Sequence, residues 1–185
     1  MEQHILEKFS LKGKKAIVTG GAGDLGKAMV EAISQAGAQT VVIDLDDRLF
    51  GICEDFKNSG LNVSPIKTDV SKVSEIKKSY EDALDILGGN IDILINSAGI
   101  QRRYPSEEFP DEEWRKVISI NLDATFYYCK HAGNTMLQNG GGKIINIASI
   151  ISFLGGITIP AYAASKGGVA QLTKALSNDW AAKGI

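Results

Sequence analysis

Short apolar runs alternate with amphipathic segments along the whole chain, and this alternation constrains the fold more than any other feature. The predicted strands are residues 15–19, 40–43, 62–66, 91–95 and 144–148. The predicted helices are residues 24–36, 47–59, 71–87 and 111–137, with a last helix that begins near residue 160. Strands that are apolar on both faces are typical of a parallel sheet covered by helices on both sides. We therefore expect an α/β fold, with the third strand near the sheet edge because Pro65 cannot donate to a ladder.

The first predicted helix carries a regular apolar stripe. Its members are Leu25, Ala28, Met29, Ala32 and Ile33. Because residues three and four positions apart share one face of a helix, we expect this stripe to pack against the sheet.

Composition excludes several classes of function. The chain has 185 residues, of which 44% are hydrophobic, and a net charge of −2. Its basic residues are scattered, so no surface for nucleic acid or for a membrane is expected. The uncharged stretch between Lys143 and Lys166 is long enough to cross a membrane, but polar residues, glycines and Pro160 interrupt it. A strand, a loop and a helix start explain that stretch better than a membrane span.

The cysteines and the N-terminus indicate a cytoplasmic protein. Cys53 and Cys129 form neither a metal-binding spacing nor a disulfide framework, so we expect two buried or idle thiols and no metal. The N-terminus carries Glu2, Glu7 and Lys8 without an apolar run, which is unlike a signal peptide.

A glycine-rich turn joins the first predicted strand to the first helix. Residues 19–26 contain Gly20, Gly23 and Gly26, with Asp24 and Leu25 between the last two. Such a turn lets backbone N–H groups approach a pyrophosphate at the positive end of a helix. Glycines also serve ordinary tight turns, and it is the order of strand, turn and helix that favours a dinucleotide site built from these five residues.

An acidic residue, Asp44, ends the second predicted strand, 18 residues after Gly26. A carboxylate there can accept hydrogen bonds from both ribose hydroxyls of NAD and would repel a 2′-phosphate. No cation follows it before Arg48, which favours NAD over NADP. The alternative role of a surface aspartate capping the next helix fits Asp46 or Asp47 better.

Two further strand ends suit a nucleotide. Asp69 and Val70 follow the third strand and could meet the adenine, although Asp69 could equally cap the helix that begins near Ser71. The fourth strand is followed by residues 96–99, where Asn96, Ala98 and Gly99 are candidates because small residues let a flat nucleotide approach.

The last predicted helix carries a candidate acid–base pair. Tyr162 and Lys166 are four residues apart and share one helix face. An ammonium beside a phenol favours the phenolate, which can take a proton from an alcohol or return one to a carbonyl. Ser149, 13 residues before the tyrosine, could hold the same oxygen. An isolated tyrosine and lysine with this spacing are common by chance. The functional interpretation of these two residues therefore depends on the nucleotide-binding motifs that precede them.

Together these residues resemble the short-chain dehydrogenase/reductase family over essentially the whole chain. The residues that carry the resemblance are the turn 19–26, Asp69, residues 96–99, Asn121, Ser149, Tyr162 and Lys166. The resemblance implies a Rossmann-type doubly wound parallel sheet with Tyr162 as general acid/base. It also implies that Lys166 lowers the tyrosine pKa and holds the nicotinamide ribose, that Ser149 orients the substrate oxygen, and that Asn121 fixes a proton-relaying water. From the residues alone, Asn121 would be an ordinary polar helix residue.

More narrowly, residues 99–103 and 147–156 resemble the sugar-acid dehydrogenases of that family, which include 2-deoxy-D-gluconate 3-dehydrogenase and gluconate 5-dehydrogenase. Arg102 and Arg103 follow the fourth strand, and an arginine fork binds a carboxylate bidentately. Both could instead be solvated loop charges. Phe153, Ile157 and Ile159 are expected to form the wall of the substrate pocket beside Tyr162 and Ser149.

The chain departs from the family pattern at two places. The family has a glycine where this chain has Asp24, which would bring a carboxylate near the pyrophosphate unless Asp24 caps the helix. The chain ends at Ile185, and we expect residues 1–185 to form one dinucleotide-binding domain, C-terminally incomplete relative to the family, that carries cofactor and catalytic residues without the family's later strands and substrate lid.

The sequence thus predicts an NAD-dependent oxidoreductase that moves hydride between nicotinamide and a secondary hydroxyl or ketone of a sugar acid. Its expected partner is a small-molecule substrate, and the family resemblance implies assembly with further copies of itself into a homodimer or homotetramer. Two alternatives remain open: an NADP-dependent 3-oxoacyl-thioester reductase, against which Asp44 counts, and an NAD-binding module without turnover.

Overall fold

Five parallel strands form the centre of the protein, in a computed structural model that describes residues 5–185. The strands are β1 (Lys15–Thr19), β2 (Gln39–Asp44), β3 (Val63–Lys67), β4 (Ile93–Asn96) and β5 (Lys143–Asn146). Their order across the sheet is β3-β2-β1-β4-β5, and every neighbouring pair is parallel. All five predicted strands are confirmed, with ends that differ by at most two residues, and β3 lies at the edge as Pro65 indicated.

The helices alternate with these strands. They are α1 (Asp24–Gln35), α2 (Arg48–Asn58), α3 (Val73–Ile86), α4 (Asp111–Ile118), α5 (Ala124–Gln138) and α6 (Pro160–Trp180). Short 3-10 turns occupy Ile5–Phe9, Ser106–Glu108, Ile150–Ser152 and Ala181–Lys183. A π-helical segment, Ser119–Asp123, joins α4 to α5, so the single helix predicted for residues 111–137 is continuous but contains one wide turn. The last helix begins at Pro160, where a proline without an N–H is well tolerated.

Helices cover both faces of the sheet, which confirms the doubly wound architecture. One core layer packs the sheet against α3 and α5 and contains Ile17, Ile43, Leu94, Tyr80, Tyr128 and Met136. The other packs it against α1 and α2 and contains Val18, Val42, Ile95, Val30, Leu49 and Phe56. Successive residues of β1 point to opposite layers, as Ile17 and Val18 do, so the central strand is apolar on both sides.

The register of the strands aligns their carboxyl ends. Thr19 of β1 lies opposite Ile43 of β2 and Asn96 of β4. In turn, Asn96 lies opposite Asn146 of β5. The loops that follow the strands therefore emerge along one edge of the sheet, which is where ligands bind in folds of this type.

The buried face of α1 differs from the predicted stripe. Gly26, Val30 and Ser34 are buried, whereas Leu25 is 59% exposed. Gly26 sits so close to the preceding turn that a Cβ there would lie 2.1 Å from the Gly20 oxygen. The Ser34 hydroxyl is satisfied inside the core by Thr40 at 2.9 Å. The stripe prediction is confirmed for Met29 and Ile33, which pack against the core layer that α1 forms with α2 and the sheet, and was wrong for Leu25, Ala28 and Ala32, which are exposed. Close backbone packing and an internal hydrogen bond select small and polar residues that hydrophobic patterning overlooks.

Both thiols are buried and free, as expected. Burial raises the pKa of Cys53 to about 11. Across residues 5–185, none of the helices is both long and apolar enough to cross a membrane.

Gly20 is the glycine on which the alignment of two strand-end loops depends. Its φ is +72°, and an added Cβ would lie 2.6 Å from the backbone of Ala98. Gly60 has a similar φ of +83° with nothing within 4 Å. An alanine at Gly60 therefore introduces backbone strain alone, whereas an alanine at Gly20 introduces both backbone strain and steric overlap.

We expect Gly60→Ala to cost about 1 kcal/mol of unfolding free energy, which is the left-handed backbone penalty alone. Gly20→Ala should cost roughly 1–3 kcal/mol more, because backbone atoms of the β4 loop have to move. Urea unfolding of both variants measures the difference. Equal losses would show that the turn after β1 and the loop after β4 are not in close contact at Gly20 and Ala98.

Candidate active site

A cavity of about 760 Å³ opens at the carboxyl edge of the sheet. The predicted site residues on its wall are Gly20, Gly23, Asp24, Leu25, Gly26, Asp44, Asp69, Val70, Ala98, Gly99, Tyr162 and Lys166. Asn96, Arg102, Arg103, Asn121, Ser149 and Phe153 do not line it. The cavity runs from the turn after β1 to the start of α6, and its volume lies in the range of small-molecule and cofactor sites.

The N-terminus of α1 faces this cavity without a side-chain cap. Its N-cap residue is Gly23, which has no side chain to accept a hydrogen bond. The first backbone N–H group with a helical partner is that of Lys27, which donates to the Gly23 oxygen at 2.7 Å. The preceding amides of residues 24–26 donate to no group in residues 5–185. Uncapped amides at the positive end of a helix fit the pyrophosphate of a dinucleotide.

Asp24 stands at the first position of α1 and lines the cavity. Its carboxylate accepts no hydrogen bond within the described residues and does not cap the helix. The sequence left open whether the Asp24 carboxylate caps the helix or lies near the pyrophosphate site. In the structure it places a negative charge on the cavity wall beside the uncapped amides.

The Asp44 carboxylate is fixed at the end of β2 by two backbone amides. Its Oδ2 accepts from the Ala22 N–H at 2.9 Å, and its Oδ1 accepts from the Asp46 N–H at 3.0 Å. These bonds tie the glycine-rich turn to β2 and hold the carboxylate on the cavity wall. Each oxygen keeps a lone pair for a further donor.

Asp69 both lines the cavity and stabilises its own loop. Its Oδ1 accepts from the backbone N–H of Ser71 at 3.0 Å and from the Ser71 hydroxyl at 2.6 Å. These hydrogen bonds, with Lys72 nearby, hold the pKa of Asp69 below its usual value. Because α3 begins only at Val73, Asp69 caps the turn before the helix rather than the helix itself.

Asn96 lies beneath the cavity rather than on its wall. Its side chain is buried, and its Nδ2 donates to Asn146 Oδ1 at 2.9 Å and to the Cys129 sulfur at 3.3 Å. The wall above it is made by Ala98 and Gly99. The sequence grouped these neighbours together, but successive residues leave the strand in different directions.

Tyr162 and Lys166 face the cavity together from α6. The ammonium of Lys166 lies 5.9 Å from the centre of the Tyr162 ring. Lys166 is only 5% exposed, and its Nζ donates to the backbone oxygen of Ile147 at 2.6 Å. Burial lowers the pKa of Lys166. Within residues 5–185 no carboxylate pairs with this ammonium, so the backbone oxygen and the tyrosine ring are its partners.

Ser149 begins the 3-10 turn that follows β5. Its Oγ accepts from the Ile151 N–H at 3.2 Å, while Ser152 Oγ accepts from the Ser149 N–H at 3.2 Å. Ser152 in turn donates to the backbone oxygen of Lys166 at 2.7 Å, which ties this turn to α6. Since Oγ of Ser149 is used as an acceptor, its hydrogen remains available for another oxygen.

Asn121 lies in the π-helical segment and is fully buried. Its Oδ1 accepts from the Ile100 N–H at 2.8 Å, and its Nδ2 donates to the Ile100 oxygen and the Ser165 hydroxyl, both at 3.0 Å. The side chain thus joins the β4 loop to α6. Both of its donors are used, so only acceptor capacity is left for a relaying water. Wide helical turns of this kind are common at functional sites.

The two arginines differ in their surroundings. Arg102 donates to Glu113 at 2.8 Å and to the backbone oxygen of Gln101 at 2.9 Å, so its charge is already paired. Arg103 is exposed and forms no ion pair within residues 5–185. Phe153 is 74% exposed. None of the three forms part of the cavity wall.

Sequence reasoning missed several contributors to the site. Thr19 Oγ1 accepts from the Ser97 and Ala98 amides at 3.2 and 3.3 Å and so shapes the β4 loop. The backbone oxygen of Ile147 holds Lys166, and Arg48 lines the cavity in an ion pair with Asp46. Of these, only Thr19 had a sequence signal, as the residue before the first glycine of the turn.

Comparison with known proteins places this geometry in context. Residues 14–185 match the family model for short chain dehydrogenases. The chain is 42% identical over 182 residues to a 2-dehydro-3-deoxy-D-gluconate 5-dehydrogenase of Bacillus subtilis (strain 168), covering 98% of this chain and 71% of that protein. It is 37% identical over 169 residues to a 5-keto-D-gluconate 5-reductase of Escherichia coli (strain K12), covering 91% of this chain and 66% of that protein.

A solved structure is similar over the same region. The crystal structure of a gluconate 5-dehydrogenase from Burkholderia cenocepacia J2315, in complex with NADP and tartrate, has a TM-score of 0.91 to this chain at 35% identity. The match covers 98% of this chain and 71% of that one.

The buried ammonium gives the fold a pH dependence that can be measured. Because the folded-state pKa of Lys166 is depressed, the unfolded chain holds this proton to higher pH than the native state does. Stability rises with pH wherever the unfolded state binds more protons. Wild type should therefore gain stability relative to Lys166→Met as pH rises toward the ordinary lysine value of 10.5.

Urea unfolding of wild type and Lys166→Met at several pH values checks this. Lys174→Met, which removes an exposed lysine from the same helix, is the control and should run parallel to wild type. A constant or shrinking difference between wild type and Lys166→Met would contradict the depressed pKa.

Proposed function

The chain belongs to the short chain dehydrogenase family, and we propose that it moves hydride between NAD and a secondary hydroxyl or ketone of a sugar acid. Membership of the family is confirmed by the match over residues 14–185. With it the chain is an oxidoreductase of the CH–OH group that uses a nicotinamide cofactor. The cofactor type, the substrate class and the roles of single residues are proposals.

One observation carries the proposal. A single cavity joins an uncapped helix N-terminus and a fixed strand-end carboxylate to Tyr162 and Lys166. The first two features fit the pyrophosphate and ribose of a dinucleotide, and the last two fit proton transfer at an alcohol. The fold itself does not require these features to lie along one wall. Their combination therefore indicates a functional site.

The residues present fit a nicotinamide dinucleotide. Gly20, Gly23 and the amides of residues 24–26 would hold the pyrophosphate, Asp44 the adenosine ribose, and Asp69 with Val70 the adenine. Ala98 and Gly99 are small, so this part of the cavity wall leaves room for a flat group of the cofactor. When bound, the cofactor supplies the hydride acceptor for alcohol oxidation and the donor for ketone reduction.

Tyr162 transfers the proton at the substrate oxygen. In the oxidising direction its phenolate accepts the hydroxyl proton as the carbon–hydrogen bond breaks, and in the reducing direction its phenol returns that proton. The nearby ammonium of Lys166 stabilises the phenolate electrostatically. Two of its three N–H bonds are not used by Ile147 and are free to hold the nicotinamide ribose. Ser149 donates its remaining hydrogen to the substrate oxygen, and Asn121 holds the β4 loop and α6 in register.

Charge near the ribose supports NAD. Among residues 5–185, Asp24, Asp44 and Asp46 line this end of the cavity with one cation, Arg48, which is already paired with Asp46. A 2′-phosphate would meet a negative surface. The similar gluconate 5-dehydrogenase from Burkholderia cenocepacia binds NADP, so related sites accept the phosphorylated form.

The sugar-acid substrate rests on the two curated relatives, whose names specify keto and deoxy forms of gluconate. Among residues 5–185, no carboxylate pairs with the exposed guanidinium of Arg103 in the loop after β4, which makes Arg103 the better candidate than Arg102 for a substrate carboxylate. Phe153 is a candidate apolar contact. We further propose one domain holding both cofactor and catalytic residues, assembly into a homodimer or homotetramer, and a cytoplasmic location.

Removing the proposed acid–base group tests the assignment. Tyr162→Phe should lower turnover of the responsive sugar acid by about 10²–10⁴-fold, since general acid–base catalysis contributes that much. NAD binding, followed by calorimetry, should change little. Tyr127→Phe, a half-buried tyrosine outside the cavity, is the control and should keep both properties. Retained turnover in Tyr162→Phe would remove Tyr162 from its role.

Cofactor preference can be measured on the unmodified chain. We expect NAD to bind at least about tenfold more tightly than NADP at low ionic strength, because three carboxylates face the ribose end. The gap should narrow as salt screens those charges. A preference for NADP would contradict the reading of Asp44.

A further inference from the structure

Two residues beyond Asp44, a second carboxylate holds Arg48, a cation at the ribose end of the cavity. Arg48 Nε and Nη2 both donate to Asp46 Oδ2, at 2.9 and 2.8 Å. The backbone N–H of Arg48 donates to Asp46 Oδ1 at 2.9 Å. Asp46 therefore accepts three hydrogen bonds from a single residue, and both side chains line the cavity.

This pair is joined directly to the proposed ribose carboxylate. The Asp46 N–H donates to Asp44 Oδ1, so the three residues form one hydrogen-bonded turn at the end of β2. Arg48 is the first residue of α2, which fixes its backbone. The hydrogen bond from Arg48 keeps the pKa of Asp46 below its ordinary value, so the carboxylate is ionised at neutral pH.

Among the described residues that line the cavity, only Arg48 and Lys166 are cationic, and Lys166 lies at the opposite, nicotinamide end. Arg48 is thus the group best placed to recognise extra phosphate near Asp44. Its Nε–Nη2 edge is one of the two edges on which a guanidinium can bind a phosphate bidentately, and Asp46 already occupies it.

We propose that Asp46 contributes to cofactor specificity by withholding Arg48 from a 2′-phosphate. The inference rests on the proposed nicotinamide site. The Arg48 and Asp46 side chains are 70% and 39% exposed, and exposed ion pairs are weak. Discrimination against NADP is therefore limited, because a 2′-phosphate can compete for the same guanidinium edge. Removing the Asp46 charge leaves Arg48 available to NADP while Asp44 continues to hold the ribose of NAD.

The neighbouring aspartate supplies a matched control. Asp47 carries the same charge one residue later, but it pairs with Lys67 at 2.5 Å and does not line the cavity. Asp47→Asn therefore changes the net charge as Asp46→Asn does without releasing Arg48.

The test compares two fragments of the cofactor by calorimetry, so it does not depend on turnover. Adenosine 5′-monophosphate and adenosine 2′,5′-bisphosphate differ only in the 2′-phosphate. In Asp46→Asn, the bisphosphate should bind about fivefold more tightly than to wild type, with monophosphate affinity changed less than about twofold. The gain should disappear in the double variant Asp46→Asn with Arg48→Ala, and Asp47→Asn should show little of it.

Each other result overturns the proposal. A gain that persists without Arg48, or that is equalled by Asp47→Asn, would mean that net charge rather than release of Arg48 is responsible. Unchanged bisphosphate binding in Asp46→Asn, with the monophosphate still bound, would reject the role of Asp46 and leave the nucleotide site intact. If wild type binds neither fragment, the proposed cofactor site fails and this proposal fails with it.

Discussion

Parallel hydrogen bonding from β1 to both of its neighbours sets the position of everything at the site. Thr19 is level with Ile43 on one side and Asn96 on the other, so the three loops that follow these strands leave the sheet side by side. The order of the strands also reverses at β1. From β1 the chain first adds β2 and β3 on one side of the sheet, and it then adds β4 and β5 on the other side. The resulting crevice is bounded by loops on both sides, and its floor is the rigid sheet itself.

Buried polar contacts then fix α6, which carries Tyr162 and Lys166, against that floor. Asn121 bonds both backbone groups of Ile100 and reaches Ser165, while the backbone of Ile147 holds Lys166. The ammonium is kept out of water beside the Tyr162 ring without a carboxylate to neutralise it. Such an arrangement is unfavourable for stability and favourable for stabilising a phenolate, which is the compromise expected at a working site.

The fold and most of the candidate site could be predicted because both depend on local pattern. Apolar runs gave the five strands, and the turn glycines, Asp44, Tyr162 and Lys166 fall on the cavity wall because they directly follow strand ends or share a helix face. The rest depends on contacts between distant residues. Nothing local distinguishes Asn96, which turns beneath the wall, from Ala98, which forms it. Nothing local in the sequence indicates that Arg102 pairs with Glu113 or that Arg48 pairs with Asp46.

A crystal structure of this chain with NAD would test the central claim most directly, namely that one cavity aligns a dinucleotide with the Tyr162–Lys166 pair. The account predicts the pyrophosphate at the amides of residues 24–26, the adenosine ribose hydroxyls on Asp44, and the nicotinamide ribose within hydrogen-bond reach of Lys166 Nζ. NAD bound outside this cavity, or bound in it with the nicotinamide at the Asp44 end, would contradict the account.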